Sequence, residues 1–104
     1  MTDVTALDIS RMRESAGEAT ALLRSLAHED RLMLLCQLCK EELSVGELEQ
    51  RLDIHQPNLS QHLGVLRREG LVATRREGKR IHYRVADPRV LVLLETLYST
   101  FCSD

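Results

Sequence analysis

Apolar residues recur along this chain with two different periods, and the changes of period divide it into elements. From about Asp8 to Leu26 they fall at Met12, Ala16, Ala19, Leu23 and Leu26, the spacing of an amphipathic helix. A second helix is expected from Glu29 to Lys40, with Leu32, Leu35, Cys36 and Cys39 on one face. Glu29 and Asp30 near its start suit the helix dipole. Residues 44–70 then read as two short helices joined by a tight turn. Ser44 and Glu47 are spaced as a capping box, and Leu43 and Leu48 as a hydrophobic staple. The first of these helices runs to about Leu52, and Asp53-Ile54-His55 is the turn. Gln56-Pro57 starts the second, where proline's missing N–H costs nothing. Gly70 is placed to end it.

That second helix has two faces. Leu59, Leu63 and Leu66 form a buried stripe. Gln56, Asn58, Ser60, Gln61 and His62 form a polar one, rich in the donors and acceptors that read base edges in a major groove. Taken alone, the polar face reads equally well as a solvated surface. The next segment favours the first reading. Residues 71–76 and 79–85 read as strands around a Glu77-Gly78 turn, and in the second strand Ile81, Tyr83 and Val85 alternate with Arg80, His82 and Arg84. A basic hairpin directly after such a helix predicts a winged helix-turn-helix, the wing lying on phosphate backbone or in the adjacent minor groove. The last helix is expected over residues 87–102, with Asp87 as cap and Pro88 at its first position. It is apolar around most of its girth, more than so small a domain is expected to cover by itself. This helix and the one at about 8–26 are read as a dimer interface, through Met12, Ala16, Leu91, Leu94, Tyr98 and Phe101. The alternative is a longer core within one chain. A two-fold pair of reading helices about 34 Å apart would match an inverted repeat.

The 104 residues make one domain (1–104), with the helix-turn-helix at 44–70 and the wing at 71–85. The expected class is mainly α with a β-hairpin wing, in the order α-α-α-α-β-β-α, as a homodimer. No apolar run approaches the length of a membrane span, and MTDVTALDIS lacks the pattern of a secretory leader. A cytoplasmic protein with its three cysteines reduced is expected.

The net charge of −2 argues against DNA until its distribution is considered. Residues 1–50 hold five Lys/Arg and ten Asp/Glu, a net of −5, whereas residues 51–84 hold eight and three, a net of +5. The positive charge is therefore concentrated on the helix-turn-helix and wing, where phosphate would lie. The candidate DNA contacts are Ser44, Gln56, Asn58, Ser60, Gln61, His62, Arg67, Arg76, Lys79, Arg80 and His82. No Gly-rich phosphate loop, paired-carboxylate arrangement or evident Cys–His partnership is present, so neither catalysis nor a cofactor is expected.

The helix order, the wing and the stretch ELSVGELEQRLDIHQPNLSQHLGVLRREGLV resemble the ArsR/SmtB transcriptional repressors, over about residues 15 to 102. That resemblance implies a homodimeric repressor that releases its promoter when an inducer binds. It also marks departures. Many members carry Ser where this chain has His55. Arsenic and cadmium sensors carry Cys-Val-Cys where Ser44 and Gly46 stand here. Zinc and nickel sensors place Asp and His along the last helix, which here holds Asp87 and Glu95 without His. The four histidines, His28, His55, His62 and His82, show no pairing at ligand spacing, so no metal site is expected.

RLMLxC in the second helix and LYxxFC at the C-terminus resemble the sulfide- and redox-responsive branch, the BigR and SqrR repressors. By that resemblance Cys36 and Cys102 are the sensing thiols, bridged by a disulfide or short polysulfide when reactive sulfur species rise. From spacing alone the cysteines read more readily as small buried apolar groups. A second inducer class stays open, As(III) or Cd(II) held by Cys36, Cys39 and Cys102, as does a member with no inducer. A winged helix used to dock a protein is the reading of another class.

Overall fold

A computed structural model describes residues 7–102. Residues 1–6, which include most of the stretch read above for a leader, and residues 103–104 lie outside the described residues. Five helices and three strands follow in order: α1 (Ile9–Leu26), α2 (Glu29–Leu38), β1 (Leu43–Ser44), α3 (Val45–Leu52), α4 (Asn58–Arg68), β2 (Val72–Glu77), β3 (Arg80–Val85) and α5 (Pro88–Phe101). This is a winged helix-turn-helix with one strand more than expected. β1 pairs with β3, Leu43 opposite Tyr83 and Ser44 opposite His82, so the wing is a three-stranded antiparallel sheet in the order β1-β3-β2. Two residues are too few to show alternation, which is why β1 left no trace in the pattern.

The local signals act as their chemistry requires. The Ser44 backbone N–H donates to Glu47 Oε1 at 2.9 Å, and the Glu47 N–H donates to Ser44 Oγ at 3.3 Å. Leu43 and Leu48, the staple pair, are both fully buried. At the other end of α4, Gly70 has φ +75°. Its N–H reaches the Arg67 carbonyl and that of Leu71 the Leu66 carbonyl, a Schellman ending with Leu66 and Leu71 buried together. The wing turn is Gly78-Lys79, one residue later than expected, because Glu77 pairs with Arg80. Gly78 takes the positive φ that a two-residue hairpin needs at its first position.

Two boundaries differ from expectation, the end of α2 and the start of α4. α2 stops at Leu38, with Cys39 as its C-cap, and starts from His28, whose Nδ1 accepts the Asp30 N–H. Pro57 caps α4 rather than opening it. Asp53 ends α3 in the left-handed region at φ 55°. The core is almost wholly leucine: Leu34 and Leu35 from α2, Leu48 from α3, and Leu59, Leu63 and Leu66 from α4, closed by Val90 of α5. α2 therefore sits at the centre, touching the two helices of the motif, the wing and α5.

Ser44→Ala is expected to lower stability by about 1 kcal/mol, read by urea denaturation at one protomer concentration. The Ser44 backbone N–H holds the Glu47 carboxyl below the usual carboxylate range. The stability linked to that lowered pKa is present above the usual carboxylate range and lost as pH falls through the lowered value. Glu47→Gln should flatten that acid limb.

Candidate DNA-binding face and thiol cluster

The leucine stripe of α4 faces the core, which turns Gln56, Asn58, Ser60, Gln61 and Arg67 outward. They are not equivalent. Gln56 Oε1 accepts both the backbone N–H and the hydroxyl of Ser60, so Gln56 supplies the cap that Pro57 lacks. Asn58 and Gln61 are exposed with no side-chain hydrogen bond among the described residues. His62 corrects the expectation. It lies against His28, ring centroids 4.3 Å apart, with its side chain only 15% exposed. Its position follows a helical spacing that brings it round toward α2, and that burial holds its proton affinity below an ordinary histidine's. It does not share the outward face with Gln61.

On the wing, Arg76, Lys79 and Arg80 are exposed around the turn and free of ion pairs among the described residues. Two other candidates are occupied. Ser44 is 8% exposed and committed to its cap. His82 is half-buried opposite Ser44, with Nε2 buried and unpartnered, and its charge would act on Glu47 and Glu77. Both are set by β1, which covers the stretch of β3 that the two-strand reading left open. Arg75 is held by Glu42 at 2.6 Å and by Glu77 at 2.8 Å, tying the wing to the α2–β1 connection. His55 lies in the exposed turn before α4, 2.7 Å from Asp53 Oδ1, and that contact raises its proton affinity.

Cys36 and Cys39 lie three residues apart at the end of α2, and Cys102 at the end of α5 is within electrostatic reach of Cys36. Burial pushes the Cys36 thiol up, and the nearby Cys102 pushes it further, while Lys40 opposes both. Burial and then Cys36 push the Cys39 thiol up. All three are free; Cys36 and Cys39 are half-buried and Cys102, the C-cap of α5, is exposed. At neutral pH the two α2 thiols are protonated, which slows attack by the thiolate route. The arrangement joins the central helix α2 to the end of α5.

The surface intended for a partner divides in two. Leu91, Val92, Tyr98 and Phe101 are exposed on α5, and Met12 and Leu23 on α1. Leu94 is 6% exposed and packs with Val90 into the chain's own core, so it is withdrawn from the interface set. Ala16 is half-buried. Arg89 links the two helices, 2.6 Å from Glu18 of α1 and 2.7 Å from Asp87.

Three residues that the sequence reading did not connect also meet. His28, Asp30 and His62 bring one ligand atom each to within 4.8 Å of one another. Spacing along the sequence does not pair His28 with His62, which is brought to α2 by tertiary packing alone. No helix among the described residues is long and apolar enough to cross a membrane.

Comparison with known proteins gives this geometry a context. Residues 28–74 match the family described as bacterial regulatory protein, arsR family. Over 101 residues the chain is 52% identical to the biofilm growth-associated repressor of Agrobacterium fabrum, spanning 97% of this chain and 86% of that protein. It superposes on the crystal structure of the transcriptional repressor BigR from Xylella fastidiosa with a TM-score of 0.90 at 47% identity, covering 94% of this chain and 100% of that one. It is also similar, at a TM-score of 0.74 and 27% identity, to a homodimeric winged helix-turn-helix DNA-binding domain of a possible ArsR-family regulator from Mycobacterium bovis. That match covers 91% of this chain and 88% of the other.

Proposed function

This chain belongs to the arsR family of bacterial regulatory proteins, and on that premise we propose a homodimeric repressor that senses reactive sulfur through Cys36 and Cys102. It is a DNA-binding transcriptional repressor of this family. α4 would enter the major groove with Asn58 and Gln61 toward base edges, while Arg67, Arg76, Lys79 and Arg80 meet phosphate. Two-fold pairing through α1 and α5 would present both α4 helices to an inverted repeat.

The sensing step is supported by the half-buried Cys36 thiol of α2 lying within electrostatic reach of the exposed Cys102 at the end of α5, two residues separated by most of the chain. A persulfide donor RS–SH transfers its outer sulfur to one thiolate, giving Cys–S–SH and RS⁻. The second thiol displaces it, forming Cys–S–S–Cys and releasing H₂S. If both thiols are persulfidated first, the same displacement gives a trisulfide and H₂S. Either bridge ties α2, on which the helix-turn-helix is built, to the dimer-forming α5. The relative angle of the two α4 helices then shifts and the operator is released.

Fluorescence anisotropy of the reduced protein on its own upstream promoter DNA, with and without glutathione persulfide, tests this. Tight binding lost on adding the donor supports the reading. Tight binding unchanged by it removes the sulfur sensor and keeps the repressor. No binding at low salt removes the DNA-binding reading and leaves a protein-docking winged helix.

The wing and α4 are separable by mutation. Arg80→Ala is expected to weaken operator and unrelated DNA alike and to reduce the salt slope by about one. Gln61→Ala should instead cost about 1–3 kcal/mol of discrimination at one base pair. A change in one base preference from Arg80→Ala would misplace the wing.

A second reading rests on Cys39, whose thiol responds to Cys36 as Cys36 responds to Cys102. Three such thiolates suit As(III) or Cd(II). Cys39→Ala should abolish that site and spare persulfide sensing.

A further inference from the structure

His28 and Asp30 stand at the first turn of α2, and His62 stands on the face of α4 turned toward them. Their ligand atoms lie within 4.8 Å of one another, and His62 Nε2 is 3.8 Å from Asp30 Oδ2. That is too long for a hydrogen bond. It is close to the separation of about 3.4 Å between two ligands bound tetrahedrally to one ion. We propose that His28, Asp30 and His62 form a divalent transition-metal site that fastens α2 to the recognition helix. Two imidazoles and a carboxylate are borderline donors suited to Zn(II) and Co(II), and three protein ligands leave a position for water.

The chemistry of each ligand fits. His28 Nδ1 now accepts the Asp30 N–H, so in the neutral ring the proton sits on Nε2. An ion at Nε2 moves that proton to Nδ1, gives up the cap bond and releases no net proton. Asp30 offers a side-chain oxygen in the first turn of α2. Arg31 adds positive charge beside His62 and opposes a cation. The site uses none of the thiols. It goes beyond the repressor reading, with one consequence inside it: the ion would pin α4 from behind, at the residue next to Gln61.

The test is a Co(II) titration of the reduced native chain, followed by visible absorption and by thermal melting with Zn(II), with no DNA present. One Co(II) per chain is expected, with d–d bands but no thiolate-to-cobalt charge-transfer band, and Zn(II) should raise Tm. His28→Asn keeps a good N-cap residue and removes a ligand. It should weaken Co(II) binding at least tenfold and erase the Zn(II) effect on Tm, with the metal-free melt unchanged. His62→Gln should do the same to the absorption. Charge-transfer bands with unaltered binding in His28→Asn, or no binding at all, would overturn the site. Failure here leaves promoter binding intact, whereas failure of the repressor reading leaves the Co(II) spectrum intact.

Discussion

Serine at Cys36 or at Cys102 is expected to leave operator affinity of the reduced protein within about twofold and to abolish release by glutathione persulfide. In the wild type a coupling of about 1–3 kcal/mol would lower affinity some five- to 150-fold on bridging. Serine keeps the size of the side chain and removes the sulfur nucleophile. Neither position fills the deep core: Cys102 is exposed and Cys36 half-buried. The rate should also carry a pH signature. Burial and Cys102 together hold the Cys36 thiol above its ordinary pKa, so reaction at Cys36 speeds up as pH rises through and beyond the ordinary thiol range. Cys102→Ser removes one raising influence and lets Cys36 ionise at lower pH. Iodoacetamide alkylation of Cys36 at pH 8 should therefore be faster in Cys102→Ser than in the wild type. A slower or equal rate would show that the two thiols do not meet. Persulfide release that survives in both serine variants would end the two-thiol mechanism.

The second large effect concerns assembly. Leu91→Asp should convert a dimer into an 11.9 kDa monomer in sedimentation and abolish binding to an inverted repeat. Leu91 is 43% exposed, beside Val92 and about two and three turns before Tyr98 and Phe101. A carboxylate there costs little in an isolated chain, because water reaches it. In a dimer it would be buried against apolar side chains, and two-fold symmetry places it there twice. At about 3 kcal/mol for each unpaired buried charge the dimer dissociation constant rises by roughly four orders of magnitude. Leu94→Asp is the contrasting control: Leu94 lies in the core, so that change should unfold the chain rather than split a folded pair. A Leu91→Asp protein that remains dimeric and binds the operator would move the interface elsewhere.

Local signals in the sequence were strong because they act within a few residues. The Ser44–Glu47 box, the Gly70 ending and the Asp87-Pro88 start each satisfy backbone groups left over at a helix end. The leucine stripe of α4 likewise follows from helical period alone, and with it which polar side chains must face away. Resemblance reached further than spacing and picked Cys36 and Cys102, which periodicity treats as ordinary apolar positions.

The sequence by itself therefore determined the helices, the wing, the concentration of positive charge on residues 51–84, and the outward placement of Asn58, Gln61, Arg76, Lys79 and Arg80. Tertiary structure alone decided how partly polar faces are divided between neighbours. It turned His62 toward His28, hid Ser44 and His82 behind β1, took Leu94 into the core, and set Cys102 within electrostatic reach of Cys36. The physical reason is that helical period fixes only an angle around an axis. Which neighbour stands at that angle depends on packing between segments tens of residues apart, and no spacing within one segment records it.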